Sequence, residues 1–310
     1  MLCKYRRLGD LGGYLGNFYR ISFWGLNGQG RDMACNLAQS GYEVTVLAAS
    51  ICPDDCEKTH CDLRHTLDAR ESVSGAHVLL NMLEDFCEFQ GKLHKLHDEG
   101  GLPDGLHIIH CGDATPQQVV TLGAWARGHG YVLIDAPSTG GALGAKQASL
   151  SFAAGGDAIA IANCAPIFGS MGHVTRVGEI GSGQICRLGN QAIAAVFVGV
   201  FSEVMALVKA SGGDAEAFRS ALRSGFNDNR LLTLMCERVM RQNFSGGASA
   251  ESVLSDLQTG VDVASQFGLT MPLMEKAEEA FSDLVHREGR GADNYAAISQ
   301  SKLLVATEKA

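Results

Sequence analysis

A chain of 310 residues, 46% hydrophobic and 19% charged, has the length for two domains and the composition of an ordinary globule. Its formal net charge of −9 argues against nucleic acid and anionic membrane as partners. No apolar run approaches the roughly 18 residues that span a bilayer, and ten cysteines without a C-x-x-C pair read as buried thiols in a reducing compartment.

In chain order, residues 1–20 set Lys4, Arg6, Arg7 and Arg20 against Asp10 and hold no long apolar stretch. They read as an extension of a cytoplasmic protein, with a mitochondrial leader as the alternative; a secretory signal does not fit. Residues 21–24 form an apolar strand that runs into Gly25-Leu26-Asn27-Gly28-Gln29-Gly30. A helix follows with Met33, Ala34, Leu37 and Ala38 on one face, then a strand at 44–47. This order aims free backbone N–H groups and a helix N-terminus at a pyrophosphate. Asn27 stands where the usual Gly-x-Gly-x-x-Gly spacing has its middle glycine. It tolerates positive φ, but its side chain crowds the phosphates.

Cys52, Cys56, His60, Cys61 and His65 gather ligand-type residues, and Cys56 and His60 share a face if Pro53 opens a helix. Their spacing is looser than the paired ligands of zinc sites, so no metal is expected. Further strands are expected at 76–82, 106–111, 131–134, 150–154 and 174–177, with helical segments such as 117–128 between them. Strands alternating with helices imply a doubly wound, mostly parallel sheet. Past residue 178 the pattern becomes helical. A helix at 184–210 is apolar nearly all round and is expected to be buried between domains or subunits. Helices at 215–224, 231–241, 252–267 and 272–285 follow. The expected α/β architecture is an extension (1–20), a Rossmann domain (21–181) and an all-helical domain (182–310), joined by the long helix.

Four stretches carry a resemblance to a known family: GLNGQGRDMACNLAQSGYEV from residue 25, NMLED at 81–85, DAPSTGGALGA at 135–145 and GEIGSGQICRLGNQ at 178–191. SDL at 255–257 and GRGADNYAA at 289–297 support them. From about residue 21 to 299 the chain resembles the β-hydroxyacid dehydrogenases, the 3-hydroxyisobutyrate dehydrogenase type, whose cofactor domain is akin to that of 6-phosphogluconate dehydrogenase. The resemblance implies NAD(P)-dependent interconversion of a small β-hydroxy acid and its semialdehyde or keto acid. It also implies a homodimer or homotetramer.

Carried over by position, the family's catalytic lysine falls on Arg187 and its substrate-holding asparagine on Gln191. The carboxylate-binding segment falls on Ser138, Thr139, Gly140 and Gly141. The cofactor positions are Gly25, Leu26, Asn27, Gly28, Gln29, Gly30, Ala49, Ser50, Met82, Leu83, Asp113 and Ser255. Several depart from the family pattern. Guanidinium stays charged, so Arg187 can hold an anion or a developing alkoxide but is a poor proton donor. Ala49-Ser50 supply neither the acid that marks NAD nor the arginine that marks NADP; Arg31 is a substitute partner for a 2′-phosphate, which favours NADP over NAD. Asp113, in place of a hydroxyl residue, is expected to repel the phosphates, and Ser255 removes a lysine near the nicotinamide. These departures leave a non-catalytic cofactor-binding or oligomerisation module as the alternative function.

Overall fold

The computed structural model describes residues 19–26, 28–48, 61–222, 225, 229–240 and 249–288. Two compact units part between Arg187 and Leu188, inside one long helix.

The first unit holds a nine-stranded sheet: β1 (Arg20–Trp24), β2 (Glu43–Leu47), β3 (Arg64–Thr66), β4 (Val78–Asn81), β5 (His107–His110), β6 (Val132–Asp135), β7 (Ser138–Thr139), β8 (Leu150–Gly155) and β9 (Gly172–Gly178). Strands β3-β2-β1-β4-β5-β6 are parallel and in that order, the arrangement of a dinucleotide-binding domain with its switch point between β1 and β4. β8 runs antiparallel to β6, pairing Asp135 with Gly155, and to β7, pairing Ser138 with Phe152. The register is the same in both pairings, so β7 continues β6 beyond Ala136-Pro137. β9 then adds parallel to β8.

Alternation along the strands sends side chains to two buried faces. Val78, Leu80, Ile109 and Ile134 pack with Phe23, Met33 and Leu37 on one face. Leu79, Ile108 and Leu133 pack with Trp24, Phe89, Leu93 and Leu122 on the other. Each such fully buried side chain contributes roughly 1.5–3 kcal/mol. The covering helices are α1 (Gly30–Gln39), α2 (Ala69–Val73), α3 (Phe86–Asp98), α4 (Pro116–Gly128), α5 (Gly141–Lys146) and α6 (Ala158–Gly169). Several starts are written in the sequence. Asp85 accepts from the Cys87 and Glu88 amides at the head of α3. Thr115 and Gln118 form a reciprocal capping box ahead of α4, with Pro116 in its first turn.

Helix α7 (Ser182–Ala210) begins in the first unit and runs into the second, which adds α8 (Ala215–Leu222), α9 (Arg230–Met240), α10 (Ala250–Gln266) and α11 (Pro272–Glu288). Ala192 and Ala195 pack with α10 and α11, and Val198, Phe201 and Met205 pack with α9. Within one chain, α7 is buried on one side only. Ile193, Val200 and Leu207 remain 72%, 56% and 69% exposed, a second apolar stripe beside the buried one. An 18-residue window of α7 has a mean hydropathy of 2.0, so the helix is long and apolar enough to cross a membrane by length and composition; this corrects the expectation that no apolar stretch approaches a bilayer span.

One expectation about cysteine changes. Cys35 on α1 and Cys61 before β3 are joined as a disulfide, so the cysteines are not all free thiols. Cys52, Cys56 and His60 lie outside the described residues; among those described, no group of three ligand residues converges.

Candidate active site

The glycine turn sits at the switch point. Gly25 has φ 95°, and a Cβ there would fall 2.5 Å from the Met82 carbonyl and 2.6 Å from the Leu83 nitrogen. Only glycine allows β1 to turn this tightly over the end of β4. Asn81 Oδ1 accepts from the Leu83 amide at 3.2 Å, fixing the far wall of the crevice. Helix α1 starts at Gly30 with Gln29 as its cap residue and no side-chain cap, so the amides of its first turn are not satisfied by a cap. Among the described residues, space is open beside Gly28, and Gln29 Oε1 is a buried acceptor without a hydrogen-bond partner. These features fit a dinucleotide: amides for the pyrophosphate, an open approach, and an acceptor for a ligand hydroxyl or ordered water. Gly25, Leu26, Gly28, Gln29, Gly30, Met82 and Leu83 thus come together at the crevice. Asn27, Ala49 and Ser50 lie outside the described residues.

The second cluster grows from the end of β6. Asp135 is fully buried; one carboxylate oxygen accepts from the Gln184 amide at 3.1 Å and the other from Gln184 Nε2 at 3.2 Å. Burial pushes its carboxyl up to about 6, against the pull of the amides of Gln184, Gly183 and Gly181. Gln184 Nε2 also donates to the Gly112 carbonyl at 3.1 Å, and its Oε1 accepts from Arg187 Nε at 3.0 Å. Arg187 Nη1 lies 3.4 Å from Asp113 Oδ1. Asp113 is thus paired with a guanidinium.

Thr139 and Arg187 line one small pocket of about 180 Å³ with Ser151, Thr175 and Cys186. Ser138 lies in β7, where it pairs with Phe152 of β8. Gly140 and Gly141, at φ 126° and 63°, follow directly, and nothing lies within 4 Å of the side of Gly141 a Cβ would occupy. The Thr139 hydroxyl thus shares its pocket with Arg187.

His110 closes the strand next to Asp135 and is fully buried against Phe86 and Phe89. Since Asn81 Oδ1 already accepts from Leu83, its Nδ2 donates to His110 Nδ1 at 3.0 Å. The remaining imidazole proton sits on Nε2, which has no partner among the described residues. Burial, and then the charge of Arg187, push His110 down to about 3.

In the second unit, Gln191 Nε2 donates to Asp256 Oδ2 at 3.2 Å, tying α7 to α10. Asp256 is buried, whereas Ser255 is exposed on the same helix. Asp135, Gln184 and His110 were not singled out from sequence. A buried Asp two residues before a proline, and a lone glutamine opening an apolar helix, were the available signals.

Comparison with known proteins identifies the family. Residues 20–181 match the NAD-binding domain of 6-phosphogluconate dehydrogenase, and 181–301 the NAD-binding domain of NADP-dependent 3-hydroxyisobutyrate dehydrogenase. The 2-hydroxy-3-oxopropionate reductase of Escherichia coli K12 is 27% identical, covering 92% of this chain and 98% of its own. The NAD-dependent L-serine dehydrogenase of Pseudomonas aeruginosa is 29% identical, covering 82% of this chain and 88% of its own. Mycobacterium tuberculosis 3-hydroxyisobutyrate dehydrogenase, solved with L-serine, shares the fold at a TM-score of 0.80 and 21% identity, covering 92% of this chain and 99% of that one. With a Rossmann crevice built for a dinucleotide and a family match over more than half its length, the chain belongs to the β-hydroxyacid dehydrogenases and is an NAD(P)-dependent dehydrogenase of the 3-hydroxyisobutyrate dehydrogenase type.

Proposed function

We propose that the chain interconverts a small β-hydroxy acid and its semialdehyde or keto acid, with NADP ahead of NAD, and that Arg187 faces the reacting oxygen. The observation that carries this is the shared pocket of Thr139 and Arg187, with the guanidinium held by Gln184 and Asp113. Its volume of about 180 Å³ suits a substrate of three or four carbons, in keeping with the three-carbon compounds in the names of the two relatives. The preference for NADP rests on the lack of an acid in Ala48-Ala49-Ser50 after β2 and on Arg31 in the first turn of α1.

When bound, the nicotinamide supplies or takes the hydride. The protein's own groups do the rest. Thr139 and the Gly140-Gly141 backbone hold the carboxylate. Arg187, only 12% exposed, stabilises negative charge developing on the carbonyl oxygen, where low polarity strengthens the interaction. It keeps its own proton, so the proton of the alcohol is exchanged with water. Without an efficient proton donor, turnover is expected to run about 10²–10⁴-fold below a lysine-based site.

Fluorescence titration with NADPH and NADH, then turnover of 3-hydroxyisobutyrate, L-serine, succinic semialdehyde and tartronate semialdehyde, tests the reading. NADPH should bind more tightly than NADH, and at least one substrate should turn over. Arg187→Lys should raise the rate on at least one of them; a fall on all would mean that proton transfer is not limited by Arg187. Absence of binding by both cofactors at millimolar concentration would overturn the proposal. We also propose that the exposed stripe of α7 is covered by a second copy of the chain, making a homo-oligomer.

A further inference from the structure

We infer that Ser151 and His173 form the proton relay of the substrate pocket, carrying between substrate and water the proton that Arg187 does not. This rests on the reading that the substrate lies in the pocket of Thr139 and Arg187.

A guanidinium keeps its proton, so the proton of the alcohol needs another route between the pocket and water. Strand pairing provides one. Thr139 of β7 stands opposite Ser151 of β8, and Ser151 stands opposite His173 of β9. Directly paired residues project to the same face of a sheet, so the three side chains form a row across three strands. Thr139 and Ser151 line the pocket together with Thr175 and Arg187. His173 stands one strand further out and is exposed to solvent; its Nε2 lies 2.6 Å from Ser151 Oγ. Thr139 and Thr175 also bring hydroxyls to the pocket, but among the described residues Ser151 is the lining hydroxyl that is bonded to a base. A hydroxyl facing the substrate with an imidazole behind it has the reach that acid–base catalysis requires.

The step balances without a further reactant. In oxidation the hydride leaves the carbinol carbon for the bound nicotinamide, and the alcohol oxygen gives its proton to Ser151 Oγ. Ser151 passes its own proton to His173 Nε2, so the serine ends as a hydroxyl and the imidazole as an imidazolium. The imidazolium then releases a proton to water from Nδ1, and reduction runs the same path backward. Two transfers replace the single one that a lysine in contact with the substrate would make.

The test measures kcat and KM on the four substrates named above for the full chain, Ser151→Ala, His173→Ala and the double variant. Fluorescence titration with NADPH checks the cofactor site of each. Either single substitution should lower kcat by about 10²-fold and leave KM and NADPH affinity within about twofold. The double variant should fall no further, because the two residues act as one unit. Free imidazole should restore turnover to His173→Ala but not to Ser151→Ala, and Ser151→Thr, which keeps the hydroxyl, should retain most of the rate. Losses that multiply in the double variant, losses confined to KM, or no rescue by imidazole would make the pair a tie between β8 and β9 only and overturn the inference. If the full chain turns over none of the substrates, the functional reading itself fails and takes the relay with it. Turnover that is indifferent to both substitutions is a different result, and overturns the relay alone.

Discussion

His110 and Asp135 lie side by side at the ends of β5 and β6, and burial moves their protonation in opposite directions. Unfolded, the imidazole takes a proton near 6.5; folded, only near 3. Acidifying between these values protonates the unfolded chain alone, so His110 contributes stability above about pH 6.5 that is lost as pH falls toward 3. Asp135 has the reverse slope. Its carboxyl ionises near 3.8 when unfolded and near 6 when folded, so its contribution is greatest below about pH 4 and fades as pH rises to 6. His110→Leu removes one slope and leaves the other. The stability advantage of the unaltered chain over this variant, read from urea midpoints, should shrink by about 1.4 kcal/mol per pH unit from pH 6 downward. A gap that stays constant from pH 7 to 4 would show that His110 is not held neutral by the fold. Neither residue was legible from sequence. A histidine closing an apolar strand reads as part of the strand, and only the Asn81 bond and the two phenylalanine rings reveal a buried neutral imidazole. The Asp113–Arg187 pair was half legible. Each residue stood out as a departure from the family pattern, but that one compensates the other required the chain to bring them together.

At the level of elements, the seat of α7 decides whether Arg187 is placed at all. Its first turn lies directly on the sheet. A Cβ at Gly183 would come within 2.5 Å of the Asp135 carbonyl, 2.7 Å of the Ala153 carbonyl and 2.8 Å of Asp135 Oδ2. Backbone oxygens on β6 and β8 cannot swing aside, so Gly183→Ala must lift the turn and break the Gln184–Asp135 bonds. Overpacking usually costs about 1–3 kcal/mol, and the lost buried hydrogen bonds add roughly 1–3 more. Gly189→Ala in the same helix meets nothing within 4 Å and should gain up to about 1 kcal/mol from helix propensity. Opposite signs in equilibrium unfolding would support the close seating; equal effects would refute it. The buried strands around this seat were plain from their apolar runs. β3, with the sequence Arg-His-Thr, was not, because it has no apolar pattern of its own and exists by pairing with β2. α6, which is mostly apolar with little facial asymmetry, and α5, only six residues long, likewise lack a helical signature.

For the whole molecule, the open question is what covers α7. Ile193, Val200 and Leu207 recur every seven residues, which places them in one line along the helix. Ile193 and Val200 also border an apolar groove of about 750 Å³ with Phe197, Phe218 and Leu273. Fully burying one such side chain is worth roughly 1.5–3 kcal/mol. Three from each of two copies, even with the part already buried discounted, reach the lower range of the association cost of about 4–15 kcal/mol, which is what the proposed second copy on this stripe requires. The same stripe and a mean hydropathy of 2.0 would also suit a bilayer, but the opposite side of α7 is already packed against α9, α10 and α11. A helix crossing lipid would have to give up those contacts or carry the other helices with it. Val200→Glu places a charge in the middle of the stripe without touching the buried side. Sedimentation at micromolar concentration should show a dimer or tetramer for the unaltered chain and a shift to monomer for the variant, with helix content retained. A monomer in both would overturn the proposed assembly; release of the unaltered chain from membranes only by detergent would assign the stripe to lipid instead.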